Sequence, residues 1–181
     1  MVPKTEKSNP GDPQKSALLI IDVQRGLFAR DMPVYKADAL LANILDLVDR
    51  AHHADVPVVY IQHCNEKTLI KGSVSWKLHP VLHLEPGDWR IEKQNGNAFQ
   101  ETELNEKLAS HGIGQVVAAG LVTHGCVKNT CLGGLEEGFQ VVLAGDAHSN
   151  FSKDAFRLIR KWNKLLSEKG VVVQDTANVH F

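Results

Sequence analysis

Three side chains in this sequence, Asp22, Lys93 and Cys126, could together cleave a carbonyl compound. A thiol can attack the carbonyl once its proton is gone. A carboxylate can take that proton and return it to the leaving group, and an ammonium can hold the charges that appear. Cys126 follows the strand-like run Val116 to Ala119 and the turn Gly120-Leu121-Val122-Thr123-His124-Gly125, and it opens an expected helix over Val127 to Glu137. A helix N-terminus and a nearby Lys93 would both favour the thiolate, the attacking form. Backbone N–H groups of the same turn, those of Val122 and Cys126 in particular, are suitable donors to a tetrahedral oxyanion.

Each residue also has an ordinary reading. A lone aspartate after a strand is commonly a turn residue, a lone lysine a solvated edge charge, and a lone cysteine a small buried hydrophobe. What separates these three is their common placement. Asp22 closes the strand Ala17-Leu-Leu-Ile-Ile, Lys93 closes Trp89-Arg-Ile-Glu, and Cys126 follows a third strand. In an open parallel sheet, ligands bind beyond the carboxyl ends of the strands.

The elements that must deliver them alternate along the chain. Strands are expected at Ala17–Val23, Pro57–Gln62, Trp89–Lys93, Gln115–Ala119, Gln140–Ala144 and Val171–Val173. Apolar residues at helical spacing mark helices at Ala39–Ala51, Glu101–His111 and Ala155–Lys169 besides the one after Cys126. This pattern predicts an α/β fold with a mostly parallel central sheet and helices on both faces. Residues 1–14 are polar and proline-rich and are expected to form a disordered tail, leaving one domain over 15–181. The segment Cys64–Asp88 fits neither strand nor helix, and a loop of that length in a compact domain usually serves function.

Composition narrows the classes. The 181 residues are 43% hydrophobic and 23% charged with a net charge of −1. Scattered lysines and near-neutrality argue against a nucleic-acid or membrane-surface partner. No apolar run approaches a membrane span and the N-terminus lacks a signal-peptide core. Three cysteines without paired spacing argue against a secreted disulfide framework, so a cytoplasmic location is expected.

The sequence also resembles the isochorismatase-like hydrolase superfamily, the cysteine amidohydrolases. The resemblance is carried by Leu18-Leu-Ile-Ile-Asp-Val-Gln-Arg-Gly-Leu-Phe28, by Gly87-Asp-Trp-Arg-Ile-Glu-Lys93 with Ala98-Phe99 and Thr102-Glu-Leu104, and by Gly120-Leu-Val-Thr-His-Gly-Cys-Val127 with Gly138-Phe-Gln-Val-Val and Asp146-Ala-His148. It implies a three-layer Rossmann-like fold, an Asp22–Lys93–Cys126 triad and a cis peptide between Leu121 and Val122. By analogy, Gln24, Phe28, Trp76 and Phe99 are candidates for the substrate pocket wall, with His124 as a further substrate contact. Phe28 and Phe99 fit the core equally well. The superfamily's habit of oligomerising implies a homo-oligomer, a dimer or larger.

The sequence departs from the metal-dependent nicotinamidases of that superfamily. Where they place an Asp-x-His metal motif, it reads Tyr60-Ile-Gln-His-Cys-Asn65, and Pro80 separates His79 from His83. No metal and no cofactor is expected. Cys64 and Cys131 read as structural, Cys131 facing away from Cys126. His52 and His53 read as surface residues, and Gly133-Gly134 inside a helix implies a close backbone approach that another subunit could supply. The expected activity is hydrolysis of a small amide or ureide C–N bond through a Cys126 thioester. The alternatives are vinyl-ether hydrolysis of the isochorismate type, which does not require the thiol, and a non-catalytic small-molecule-binding role on the same fold.

Overall fold

A computed structural model describes residues 15–151 and 153–181. The expected tail over residues 1–14 lies outside the described residues. Six strands, β1 (Lys15–Ile21), β2 (Val58–His63), β3 (Trp89–Lys93), β4 (Ile113–Leu121), β5 (Gln140–Ser149) and β6 (Val172–Gln174), form one sheet in the order β3-β2-β1-β4-β5-β6. Every pairing is parallel. The strand order reverses direction between β1 and β4, so a crevice opens beyond their carboxyl ends.

β1 is apolar from Ala17 to Ile21 because both its faces are covered there. After the single-turn α1 (Arg25–Phe28), helix α2 (Ala37–His53) brings Leu40, Ile44 and Leu47 into one core with Leu18 and Ile20. Ala17, Leu19 and Ile21 enter the other. That second core is closed by Leu104 and Leu108 of α3 (Leu104–Ser110), Cys131 of α4 (Lys128–Glu136) and Leu166 of α5 (Ala155–Glu168). The result is the three-layer arrangement expected from the alternation of elements.

Four local differences from the sequence reading have physical causes. The first helix turn expected at Glu101 is replaced by a loop, in which Thr102 Oγ1 donates to Ala98 O and accepts the Leu104 N–H, starting the helix at Leu104. β5 runs five residues past Ala144. Its polar residues read as loop, yet Asp146 Oδ1 accepts from Thr176 N and Oγ1, and His148 is held in a buried network. His52 is no free surface residue: its Nε2 lies 2.8 Å from Asp88 Oδ1, fastening the end of the long loop to α2. Gly133 is crowded by the Asn97 side chain and Gly134 by Val141, so the close approach is made within the chain.

Candidate active site

Asp22 leaves β1 in the left-handed region at φ 53°, a conformation uncommon for a residue other than glycine. Its N–H donates to Ile61 O at 2.9 Å, which ties the end of β1 to β2. Lys93 is the last residue of β3, at the sheet edge, so its side chain must cross the end of β2 to reach β1. It does so fully buried: Nζ lies 2.9 Å from Asp22 Oδ2 and 3.2 Å from Cys126 Sγ. The sequence-predicted triad is therefore assembled from three strand ends.

Cys126 arrives differently from expectation. It does not open a regular helix. It sits inside a wide turn, Thr123–Val127, in which the Val127 N–H reaches back five residues to Val122 O, and Gly125 kinks the backbone (φ −114°, ψ −111°). The regular helix α4 begins only at Lys128. The Leu121–Val122 peptide is cis, as the resemblance implied.

The second correction concerns charge. Burial pushes the Cys126 thiol up to about 12, reinforced by the Asp22 carboxylate, and Lys93 only partly offsets them. The resting group is a thiol. The buried charges are then one ammonium and one carboxylate, and Asp22 Oδ1 is buried with no hydrogen-bond partner. Moving the thiol proton to Asp22 would leave an ammonium–thiolate pair, so the buried net charge stays zero throughout.

Alkylation at pH 7 should reflect this. Burial raises both Cys126 and Cys131 to about 12, while Cys64, like Cys126 only partly buried, lines a cavity beside Lys93. Peptide mapping after limited iodoacetamide treatment should find Cys64 modified first and Cys131 last. Modification of Cys126 ahead of Cys64 would restore the depressed-thiol expectation.

The cavity has a volume of about 1030 Å³ and is lined by Cys64, Glu66, Lys67, Thr68, Gln94 and Asn95 among others. Apart from Cys64 its lining residues are polar or charged, and none of the expected pocket residues is among them. Gln24 is fully buried and acts as a clamp: its amide donates to His63 O and Trp76 O and accepts from His63 N. Phe99 is in the second core, its ring stacked on Phe139 at 5.5 Å. Phe28 packs half-buried against the first core and the His79 ring. Trp76 packs there too, its Nε1 donating to Cys64 Sγ at 3.1 Å. His124 is exposed beside Asn150.

His63 is the site residue the sequence reading passed over. Its Nδ1 is 3.2 Å from Lys93 Nζ. Asp22, His63 and Cys126 are the one cluster of three ligand-type side chains among the described residues, their candidate atoms within 4.8 Å of one another. The Lys93 ammonium already lies against all three, so a metal ion would meet a buried cation there. His79 and His83 form no such cluster with other acidic or thiol groups among the described residues.

The turn carrying Cys126 is braced from behind. Thr123 Oγ1 lies 2.9 Å from His148 Nδ1 and 3.0 Å from Ser149 O, while His148 Nε2 lies 2.7 Å from Asn163 Oδ1 on α5. Burial holds His148 down to about 4, so it is neutral in the fold and Nε2 carries the hydrogen donated to Asn163. A depressed histidine contributes stability that is full above its unfolded value of 6.5 and lost as pH falls from there towards 4. That window should cost roughly 3 kcal/mol in urea titrations between pH 7.5 and pH 4. A His148→Gln variant should show a correspondingly flatter pH dependence, and an unchanged slope would sink the assignment.

Comparison with known proteins bears on the family and the fold. Residues 16–177 match the model of the isochorismatase domain. A streptothricin hydrolase of Streptomyces noursei is 30% identical over 137 residues, covering 75% of this chain and 54% of that protein. The chain thus spans about half the length of that relative. Nicotinamidase 3 of Arabidopsis thaliana is 26% identical, over 83% of this chain and 81% of its own. A cysteine hydrolase from Pseudomonas syringae has the same fold, with a TM-score of 0.85 at 19% identity, covering 97% of this chain and 95% of that one. With an all-parallel sheet, the strand-end triad and a domain match spanning nearly every described residue, the chain belongs to the isochorismatase family.

Proposed function

We propose that the protein is a metal-independent cysteine hydrolase that cleaves a C–N bond of a small amide or ureide through a Cys126 thioester. The single observation that carries this reading is the Lys93 ammonium, 2.9 Å from the Asp22 carboxylate and 3.2 Å from the Cys126 sulfur. A binding protein has no need to bury a thiol, a carboxylate and an ammonium in mutual contact.

Asp22 takes the Cys126 proton as Sγ bonds to the substrate carbonyl carbon. The carbonyl oxygen becomes an oxyanion, for which the backbone N–H groups of Val122 and Cys126 are the proposed donors. Collapse of this intermediate expels the amine, which collects the proton from Asp22 and leaves the thioester. Asp22 then deprotonates a water, the water adds to the thioester, and the thiol is released with its proton restored. Similarity to a streptothricin hydrolase supports hydrolysis, and similarity to a nicotinamidase supports an amide as the bond cleaved. The polar and charged residues around the cavity beside Lys93 support a small polar substrate.

A panel of small amides, carbamoyl compounds and ureides should yield ammonia or amine with wild type, and intact mass should capture an acyl adduct on Cys126. Turnover without any adduct, undiminished in Cys126→Ala, would rule out the thioester. Because the ammonium stands where a cation would, turnover should survive exhaustive dialysis against EDTA; loss of activity that zinc or manganese restores would overturn the metal-independent part.

A further inference from the structure

Lys93 Nζ has four neighbours at hydrogen-bond distance: Asp22 Oδ2 at 2.9 Å, and His63 Nδ1, Asn95 O and Cys126 Sγ at 3.2 Å each. An ammonium carries three hydrogens and no lone pair. Four groups therefore share three hydrogens. His63 Nδ1 can only accept, which places the ring hydrogen on Nε2.

The four neighbours differ in what happens to them during the proposed reaction. Asp22 and Cys126 exchange a proton, whereas the Asn95 carbonyl and a neutral imidazole stay as they are. The resting carboxylate needs a hydrogen bond from Lys93 and the resting thiol does not. After proton transfer the thiolate needs it and the protonated carboxyl does not.

We propose that His63 is a positioning residue of the site: together with Asn95 O it anchors two hydrogens of Lys93, so that the third swings between Asp22 Oδ2 and Cys126 Sγ. This rests on the thioester reading for its purpose, though not for its geometry. The placement follows from the sheet. β2 lies between β3 and β1, His63 is its last residue and pairs in register with Lys93, so the lysine side chain must pass over it. The buried Gln24 then grips the His63 backbone from both sides, accepting its N–H at 2.9 Å and donating to its C=O at 3.0 Å.

The ring is kept neutral by its surroundings. Burial and the Lys93 charge hold His63 below its ordinary value of 6.5, with Asp22 opposing them. Lys93 from β3, Asp22 from β1 and Cys126 from the Thr123–Val127 turn are the titratable groups that face it. Protonating the ring would remove the acceptor and set a second cation 3.2 Å from the ammonium.

Two-bond ¹H–¹⁵N NMR of histidine-labelled full-length protein reads the arrangement without any substrate. The His63 signal, identified by its disappearance in His63→Asn, should report the Nε2–H tautomer and titrate below 6.5. In Lys93→Met its midpoint should move up. Asparagine offers an amide oxygen near the place of Nδ1 without titrating. At pH 8, His63→Asn should therefore alkylate Cys126 within about threefold of wild type, and His63→Ala about tenfold more slowly. An Nδ1–H tautomer, a midpoint indifferent to Lys93→Met, or wild-type alkylation in His63→Ala would each overturn the proposal. Should His63→Ala not fold, the wild-type tautomer and the His63→Asn rate decide. If the NMR and alkylation results hold but no amide is turned over, the hydrolase reading falls and the His63 contact stands. The converse result removes His63 alone.

Discussion

Cys126→Ala, Asp22→Asn and Lys93→Ala should each lower kcat on a responsive amide by about 10³-fold or more, and pairwise combinations should lose little beyond that. The reason is that one proton and one charge pair are passed among three groups in mutual contact, so removing any of them ends the same sequence of events. The variants should differ in stability. Cys126→Ala keeps a methyl-sized group and the buried ion pair, and should melt near wild type. Lys93→Ala leaves the Asp22 carboxylate, only 2% exposed, without its cation, and should lose about 3–5 kcal/mol in urea unfolding. The same set separates amide from vinyl-ether chemistry. Vinyl-ether cleavage needs an acid but no thiol, so a Cys126→Ala enzyme that still turns over isochorismate while Asp22→Asn does not would replace the amidohydrolase assignment.

Gly120→Ala should be among the most damaging single changes in the chain although it removes no functional group. Gly120 holds φ +125°, where only glycine is comfortable, and a Cβ there would run into the backbone of Ile21 on the neighbouring strand. Relief requires β1 and β4 to separate at the carboxyl edge, where Asp22 and the Cys126 turn meet. The expected cost is roughly 3–5 kcal/mol, enough to lower Tm by about 10 °C in a domain of this size. Turnover should fall as well in whatever fraction remains folded. A Gly120→Ala protein with wild-type Tm and kcat would show that the strand ends adapt, and that the close approach of β1 and β4 does not set the site.

Much of this was legible in the sequence because parallel strands buried on both faces are written as unbroken apolar runs. Ala17-Leu-Leu-Ile-Ile marks a central strand in this way, Trp89–Lys93 marks an edge strand by alternating apolar and charged residues, and a residue at a carboxyl end is placed at the crevice whatever the strand order. His63 was not legible for the complementary reason. Its importance depends on β2 standing between β3 and β1, and neighbour relations in a parallel sheet are set by crossovers, not by local pattern. A strand-order hypothesis would have found it, as the last residue of the strand that Lys93 must cross. The charge state of Cys126 was misjudged because the sequence displays the stabilising partner, Lys93, but not the desolvation that outweighs it. Gln24 reads as pocket wall, and Phe99 as pocket wall or core alike, because closeness to a motif in sequence does not distinguish facing the crevice from bracing it.

The long loop between β2 and β3 is fastened unevenly, and this bears on how the protein can change over generations. Residues 75–79 are bonded to the segment after β1 through Gly26 N to Ser75 O, Arg25 N to Lys77 O and His79 N to Val23 O, with Gln24 and Gln62 both holding Trp76 O. Residues 66–74 are mostly exposed, with Leu69 buried as their anchor, and several of them form the cavity rim. Mutations in that stretch, Leu69 apart, leave the core and the Lys93 contacts untouched. Selection for a new substrate can therefore act on the rim while the reaction machinery is inherited intact, which gives a lineage a way to diversify its chemistry of recognition without first surviving a loss of folding.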